Sequence, residues 1–527
     1  MRKLTTITLA ALSTRGTLLL GFLLPCLLCT GTRATDVSGT IIKQTWTTNG
    51  SPYRVVGNIL VAGLTIKPGV TVLFTNNYAF EVAGKLTAKG TPVSPIVFMG
   101  TNGGWQGIYF NNSSPGSVLC YCIISNSVNS GIRILNTSPV IKNSDIVFNT
   151  AQYGGGINID NASANLTLKD CRIANNRSQI VSTMSTGGGV CAIMHANRLE
   201  MTGCTVSSNY ANANSAYGWS YGGGIYVSGH SSFKNCIVSG NTCKGREQYN
   251  VIGGMARGGG VFSSGGNIVM NNCIVSGNTA WNPTDPGPWQ EAYGGGLCLT
   301  SGSLLMTNCI IQGNVASAGR ASDGAGLCIG VGSSGGSGSA QIVNSTFAYN
   351  NTQAAAMGSG SSVTFLNSIV YFNAAGGTQV TGTADVTYSD VQGGFTGVGN
   401  INVNPVFLST ADLIIVPGSL CANAGSTNAA YKDLLFPPSL PGSRNDMGAH
   451  GGPAAGARME IDTWPQIEVR CFGCVPGYNY LIQASSNLVD WETVQQFQAT
   501  HLGYVADYLE PLTNALPRRC YRLSLAP

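Results

Sequence analysis

Five cysteines, Cys171, Cys204, Cys236, Cys273 and Cys309, occupy one position of a recurring block, and Ser144, Ser345, Ser368 and Ser389 continue the column. Such a file of thiols invites a disulfide or metal reading. On stacked parallel strands, however, in-register side chains point the same way with Cβ atoms about 4.8 Å apart, wider than the roughly 3.5–4.5 Å a disulfide prefers. Zinc wants ligands that converge tetrahedrally, which a straight file does not offer. Exchange with serine fits a third use, a small side chain stacked in a core. The same geometry argues against a bridge between Cys298 and Cys328, which share a position in adjacent repeats. Cys471, Cys474 and Cys520 lie in a stretch of different character, where antiparallel strands can bring Cβ atoms closer, so pairing among them stays open.

The acidic residues are scattered. Asp145, Asp160, Asp170 and Glu200 stand singly, and Asp145 and Asp170 fall at different positions of successive repeats. Sugar-polymer elimination calls for clustered carboxylates around Ca²⁺ plus a basic residue, and inverting hydrolysis calls for paired carboxylates. Arg133 and Lys142 are bases without such a cluster, and His230, in Gly229-His230-Ser231, reads as a surface turn. No catalytic or metal-ligating residue is assigned. The block-closing asparagines (Asn176, Asn209, Asn241, Asn278, Asn314) read as turn caps stacked in a ladder, satisfying backbone groups.

These columns need elements that repeat. A three-glycine cluster followed by apolar residues recurs at Gly154, Gly187, Gly222, Gly258 and Gly294, with a degenerate copy at Gly324. From cluster to closing asparagine each copy runs 20 to 23 residues. Within it, runs such as Ile225-Tyr226-Val227 and Ser232-Phe233-Lys234 are too short for helices and alternate as strands do. Coils of about 20 residues holding three short strands are the rungs of a solenoid. Between the rigid parts lie elastic segments, 177–186, 210–221, 242–257, 279–293 and 315–323, whose length varies from 9 to 16 residues. Surface insertions add little loop-closure entropy. Leaving the solenoid at one corner, they are expected to stack into a single face. Their aromatics, Tyr217, Trp219, Tyr221, Tyr249, Trp281, Trp289 and Tyr293, are the ligand-contact candidates, suited to sugar stacking or protein contact and equally suited to packing on one another.

The glycine clusters and the xxN blocks resemble those of polymorphic outer-membrane proteins and of the wider pectin-lyase-like superfamily. Tyr388-Ser389-Asp390-Val391 through Asp446-Met447-Gly448-Ala449 resembles the closing segment of secreted bacterial β-helix proteins, with Asn404 where that segment usually carries aspartate. The resemblance implies an all-β right-handed parallel β-helix over 35–399, closed by 400–456. Residues 457–527, with fewer glycines and more Tyr and Trp, resemble a small C-terminal β-sandwich.

The first 34 residues read as a secretory leader, with Arg2, Lys3 and an apolar run Leu18–Leu28 too short to span a bilayer. That leader takes four of the 27 basic residues, leaving 23 against 22 acidic, a near-neutral balance that gives no basis for nucleic-acid binding. It also takes Cys26 and Cys29, leaving 15 cysteines, an odd number. With only 9% charged residues, the surface must be covered by Asn, Ser, Thr and Gly. The expectation is a monomeric extracellular protein, secreted or attached to the outer surface, without a transmembrane segment or resident cofactor. It would contact a polysaccharide or a cell-surface component. The competing expectation is a polysaccharide lyase or glycoside hydrolase of the same superfamily, Ca²⁺ entering only in the lyase case.

Overall fold

Period-two alternation turns one side chain inward and the next outward, and stacking multiplies each into a column. The computed structural model describes residues 34–526 apart from 102, 181–183, 195–196, 214–217, 246–253, 283–289, 333–335, 412, 434–438, 441, 443, 456–457, 463–466, 473, 487, 501–505 and 511–518. Residues 1–33 of the expected leader, and the candidates Tyr217, Tyr249 and Trp289, lie outside the described residues. The main body is a 36-stranded sheet with parallel pairings, each strand hydrogen-bonded to its equivalent one coil on. It is a parallel β-helix. The strand after each glycine cluster shows the register: Ile157, Val190, Ile225, Val261, Leu297 and Leu327 stack inward and are buried.

Two polar columns run inside this apolar one. The five repeat thiols are buried and free of disulfides. Each Sγ reaches a backbone carbonyl of the coil below, for example Cys204 to Leu168 at 3.3 Å and Cys236 to Met201 at 3.4 Å. The asparagines form an amide ladder. Asn241 Oδ1 accepts from both the backbone N and the Nδ2 of Asn209 at 3.0 Å, while its own Nδ2 donates to Val206 O and to Asn278 Oδ1 at 2.9 Å. The pattern runs from Asn149 to Asn373, where Gln379 closes it with its own amide. Ladder and glycine cluster explain one another. Gly222 sits at φ +65°; a Cβ on Gly223 would meet the Gly259 carbonyl and the Thr242 backbone, and one on Gly224 would lie 2.9 Å from the Asn241 amide.

The elastic segments are not loops. Each starts with one strand and ends with another, as in Tyr210–Ala213 with Trp219–Tyr221, or Thr242–Lys244 with Gly254–Arg257. The first strands, with Thr150–Ala151 added at one edge, form a six-stranded parallel sheet and the second strands a five-stranded one. The two lie back to back as a thin fin on the solenoid. Small side chains fill the space between them: Cys243, Ala256, Ala280 and Ala292 form a buried cluster, and the Ser178 and Ser185 hydroxyls meet at 2.7 Å. At the far edge, Asn351 receives Ala316 N at 2.9 Å and donates to Ala316 O at 3.0 Å, replacing a further strand.

Downstream of the last coils, the chain turns back along one corner. That corner is a column of left-handed residues, among them Asp170, Gly203, Asn235, Asn272, Asn308, Asn344 and Asn367, with φ between 46° and 63°. Asn308 Nδ2 donates to Ala449 O at 2.9 Å, Asn344 Nδ2 to Asn445 Oδ1 at 3.0 Å, and Asn367 Oδ1 accepts from Ser426 N at 2.7 Å. Apolar contacts seal the strap, with Leu413 and Ala449 against Ile310, and Ile415 and Met447 against Ile369. Beyond it, residues from Arg458 on form two three-stranded antiparallel sheets around a core that includes Val469, Tyr480, Ile482 and Phe497. Cys471 and Cys474 are buried there and Cys520 is exposed, and none of the three forms a disulfide.

Candidate functional site

Because the fin has two layers, its aromatics divide. On the five-stranded layer, Ser220, Ala256 and Ala292 turn inward, so Trp219, Tyr221, Met255, Arg257, Glu291 and Tyr293 turn outward. On the six-stranded layer Cys243 and Ala280 turn inward, so Lys244 and Trp281 face the opposite side, the Lys244 ammonium 4.5 Å from the Trp281 ring centre. The single aromatic face expected from the sequence is therefore two. Trp219, Tyr221 and Tyr293 share one, and Trp281 stands on the other, which two coils away also carries the Arg177–Tyr210 pair, 5.0 Å from guanidinium to ring centre. The fold does not bring Trp219 and Trp281 together.

The Trp219 face meets the solenoid at an inner angle. There the outward residue of each strand after the glycine cluster supplies a floor: Arg133, Asn158, Cys191, Tyr226, Phe262 and Cys298 in successive coils. Tyr221 of the fin stacks on Phe262 of the floor at 4.6 Å, and Tyr226 on Phe262 at 5.6 Å. Thr186 of the fin contacts Cys191 of the floor at 3.3 Å. Burial pushes the Tyr221 phenol up to about 12 and also raises Tyr226, so both stay neutral; Tyr226 donates to Ser264 Oγ at 3.3 Å. Deeper along the angle, buried Arg257 lies 3.7 Å from Glu291 and 5.6 Å from the Tyr293 ring centre, beneath Gly332, where any Cβ would press on all three. Trp219 stands above this packed layer, between Met184 and Met255 in register, with 41% of its surface open.

Tyr293, although a candidate, is 3% exposed and belongs to the packed layer. Tyr226 and Phe262 were missed, although both stand at the second position after a glycine cluster, where the repeat marks an outward-facing place. The scattered polar groups have other engagements. Asp145 pairs with Arg172 at 3.2 Å, Asp170 pairs with Arg470, Arg133 lies over the Tyr109 ring at 4.2 Å, and His230 Nδ1 accepts from Asn267 N at 3.3 Å. Among the described residues no group of three or more His, Cys, Asp or Glu is arranged to hold a metal ion, and no helix is long and apolar enough to cross a membrane. Comparison of the chain with protein-family models, with curated proteins and with solved structures finds no match.

Proposed function

We propose that this chain is a secreted, non-catalytic, right-handed parallel β-helix of the pectin-lyase-like kind, carrying a small C-terminal β-sandwich. It contacts a polysaccharide or a glycan of a cell surface through the Trp219 side of its fin. The observation that carries this reading is the open Trp219 ring on the outer side of a fin whose interior holds only small side chains, next to the packed Tyr221–Phe262 pair. A flat, open indole between Met184 and Met255 suits the apolar face of a pyranose. Stacking of this kind contributes about 1 kcal/mol per ring.

A glycan array with the mature protein supplies the ligand, and titration of the best hit then tests the face. Trp219→Ala should weaken binding about five- to tenfold. Trp281→Ala, on the opposite layer, is the internal control and should leave affinity unchanged. Equal loss in both variants, or none in Trp219→Ala, removes the face from the reading. Release of unsaturated or hydrolysed sugars from any array ligand would overturn its non-catalytic half.

A further inference from the structure

The left-handed corner column departs from its rule at two adjacent coils. Where Asn235, Asn272, Asn308 and Asn344 repeat, Asp170 supplies a carboxylate and Gly203 supplies no side chain. The backbone does not require either change. Gly203 has φ +63°, within the range that the asparagines of the same column adopt, and the ladder bonds Asp170 N to Thr202 O (2.8 Å) and Gly203 N to Lys234 O (2.9 Å) continue as elsewhere. What the missing side chain leaves is a hole. A Cβ at 203 would meet Asp170 Oδ1 and lie 3.4 Å from Arg470 Nη1. The Arg470 guanidinium enters there and pairs with Asp170, the two side chains being 5% and 0% exposed, and its Nε bonds Asp507 Oδ1 at 2.8 Å. Among the described residues the Asp170 oxygens have no other polar partner.

We infer that Asp170 and Gly203 form a guanidinium-binding socket in the solenoid corner, with Arg470 as its occupant, and that this socket fixes the 457–527 module on the solenoid flank. A buried carboxylate without a cation is strongly disfavoured, so the acid makes sense only with the arginine in place. The glycine gives room to the Asp170 carboxylate, whose Oδ1 a Cβ at 203 would overlap, in the place where that carboxylate meets Arg470 Nη1. A planar guanidinium, with its several in-plane donors, fits between two carboxylates as an ammonium does not.

The mature full-length chain provides the test, with small-angle scattering reporting where the module sits and thermal melting reporting the solenoid. Arg470→Ala should raise the radius of gyration as the module leaves the flank, and millimolar guanidinium chloride should restore the parent profile while tetramethylammonium chloride should not. Gly203→Asn installs the repeat's own residue. It should keep the parent melting temperature and yet show the expanded profile, with no rescue by guanidinium because the hole is filled. Parent-like scattering in either variant would overturn the socket. Loss of the solenoid melting transition in Gly203→Asn would also overturn it, since the glycine would then serve the coil and not the arginine.

Discussion

Asn241 makes four contacts with one buried amide, and two of them run to other amides of the same ladder. Asn241→Ala strands donors and acceptors on both neighbouring coils, so a loss on the order of 3–5 kcal/mol in urea unfolding is expected. Asn241→Asp should lose more, because it puts a charge where donors are needed. Asp390 offers a test by pH. Burial raises its carboxyl from 3.8 to about 6, against the pull of the Val403 N–H at 3.0 Å. Asp433 is raised to about 6 for the same reason. Between those values the folded chain holds protons that the unfolded chain has released, so stability falls as pH rises from about 4 to 6. Melting should therefore occur at higher temperature at pH 4 than at pH 7, and Asp390→Asn should flatten the slope by on the order of 2–3 kcal/mol across the window. At this scale the ladder was legible, because an asparagine at a fixed place in every coil has one economical explanation. The Asp170 and Gly203 exceptions were equally visible. Their partner, however, lies about 300 residues downstream, and no local pattern points to it.

The fin is a parallel double layer built from strands of two to four residues. Its interior accepts alanine, serine and cysteine because the two sheets approach closely, and there is no depth for a larger side chain. Ala280→Leu should then splay the layers, costing about 1–3 kcal/mol locally. Amide hydrogen exchange would show this as faster exchange in Thr279–Trp281 and Gln290–Tyr293, with the glycine-cluster strands beneath unaffected. Uniform loss of protection throughout the coil would mean that fin and solenoid fold as one. The limits of these segments were readable from the sequence to the residue, since the rigid repeats bracket them. Their content was not. Strands this short and rich in small polar residues carry no hydrophobic alternation, and the parity that sets Trp281 opposite Trp219 depends on which small residue turns inward.

In the whole molecule, the strap and the module are held by different means, and truncation should separate them. Ending the chain at Gly456 removes Arg470 but leaves 445–452 on the asparagine corner, and Asp170, newly open to water, is no longer a buried charge. The solenoid melting temperature should change little. Ending it at Gly399 uncovers Ile310, Ile369 and the amides of Asn308, Asn344 and Asn367 together. This shorter chain should aggregate on purification, and size-exclusion chromatography would report it. A soluble, monomeric product ending at Gly399 would reduce the strap to ornament. The solenoid itself and its all-β class were legible from repeat period and composition. The backward path of the strap was not, because its bonds join residues about 60 to 140 positions apart, two of these three through backbone groups that every sequence shares.

That path makes the chain a gauge of its own length. Asn308 holds residues 449–451 and Asp170 holds residue 470, so the connecting stretch is matched to four coil steps, about 19 Å of axis. Coils in a solenoid are otherwise interchangeable, and duplicating one before Asp170 leaves every neighbour contact intact. Duplicating Gly222–Arg257 lengthens the measured interval by one step and forces either the arginine or the asparagine to let go. Copy number in this protein is thus free on one side of Asp170 and counted on the other.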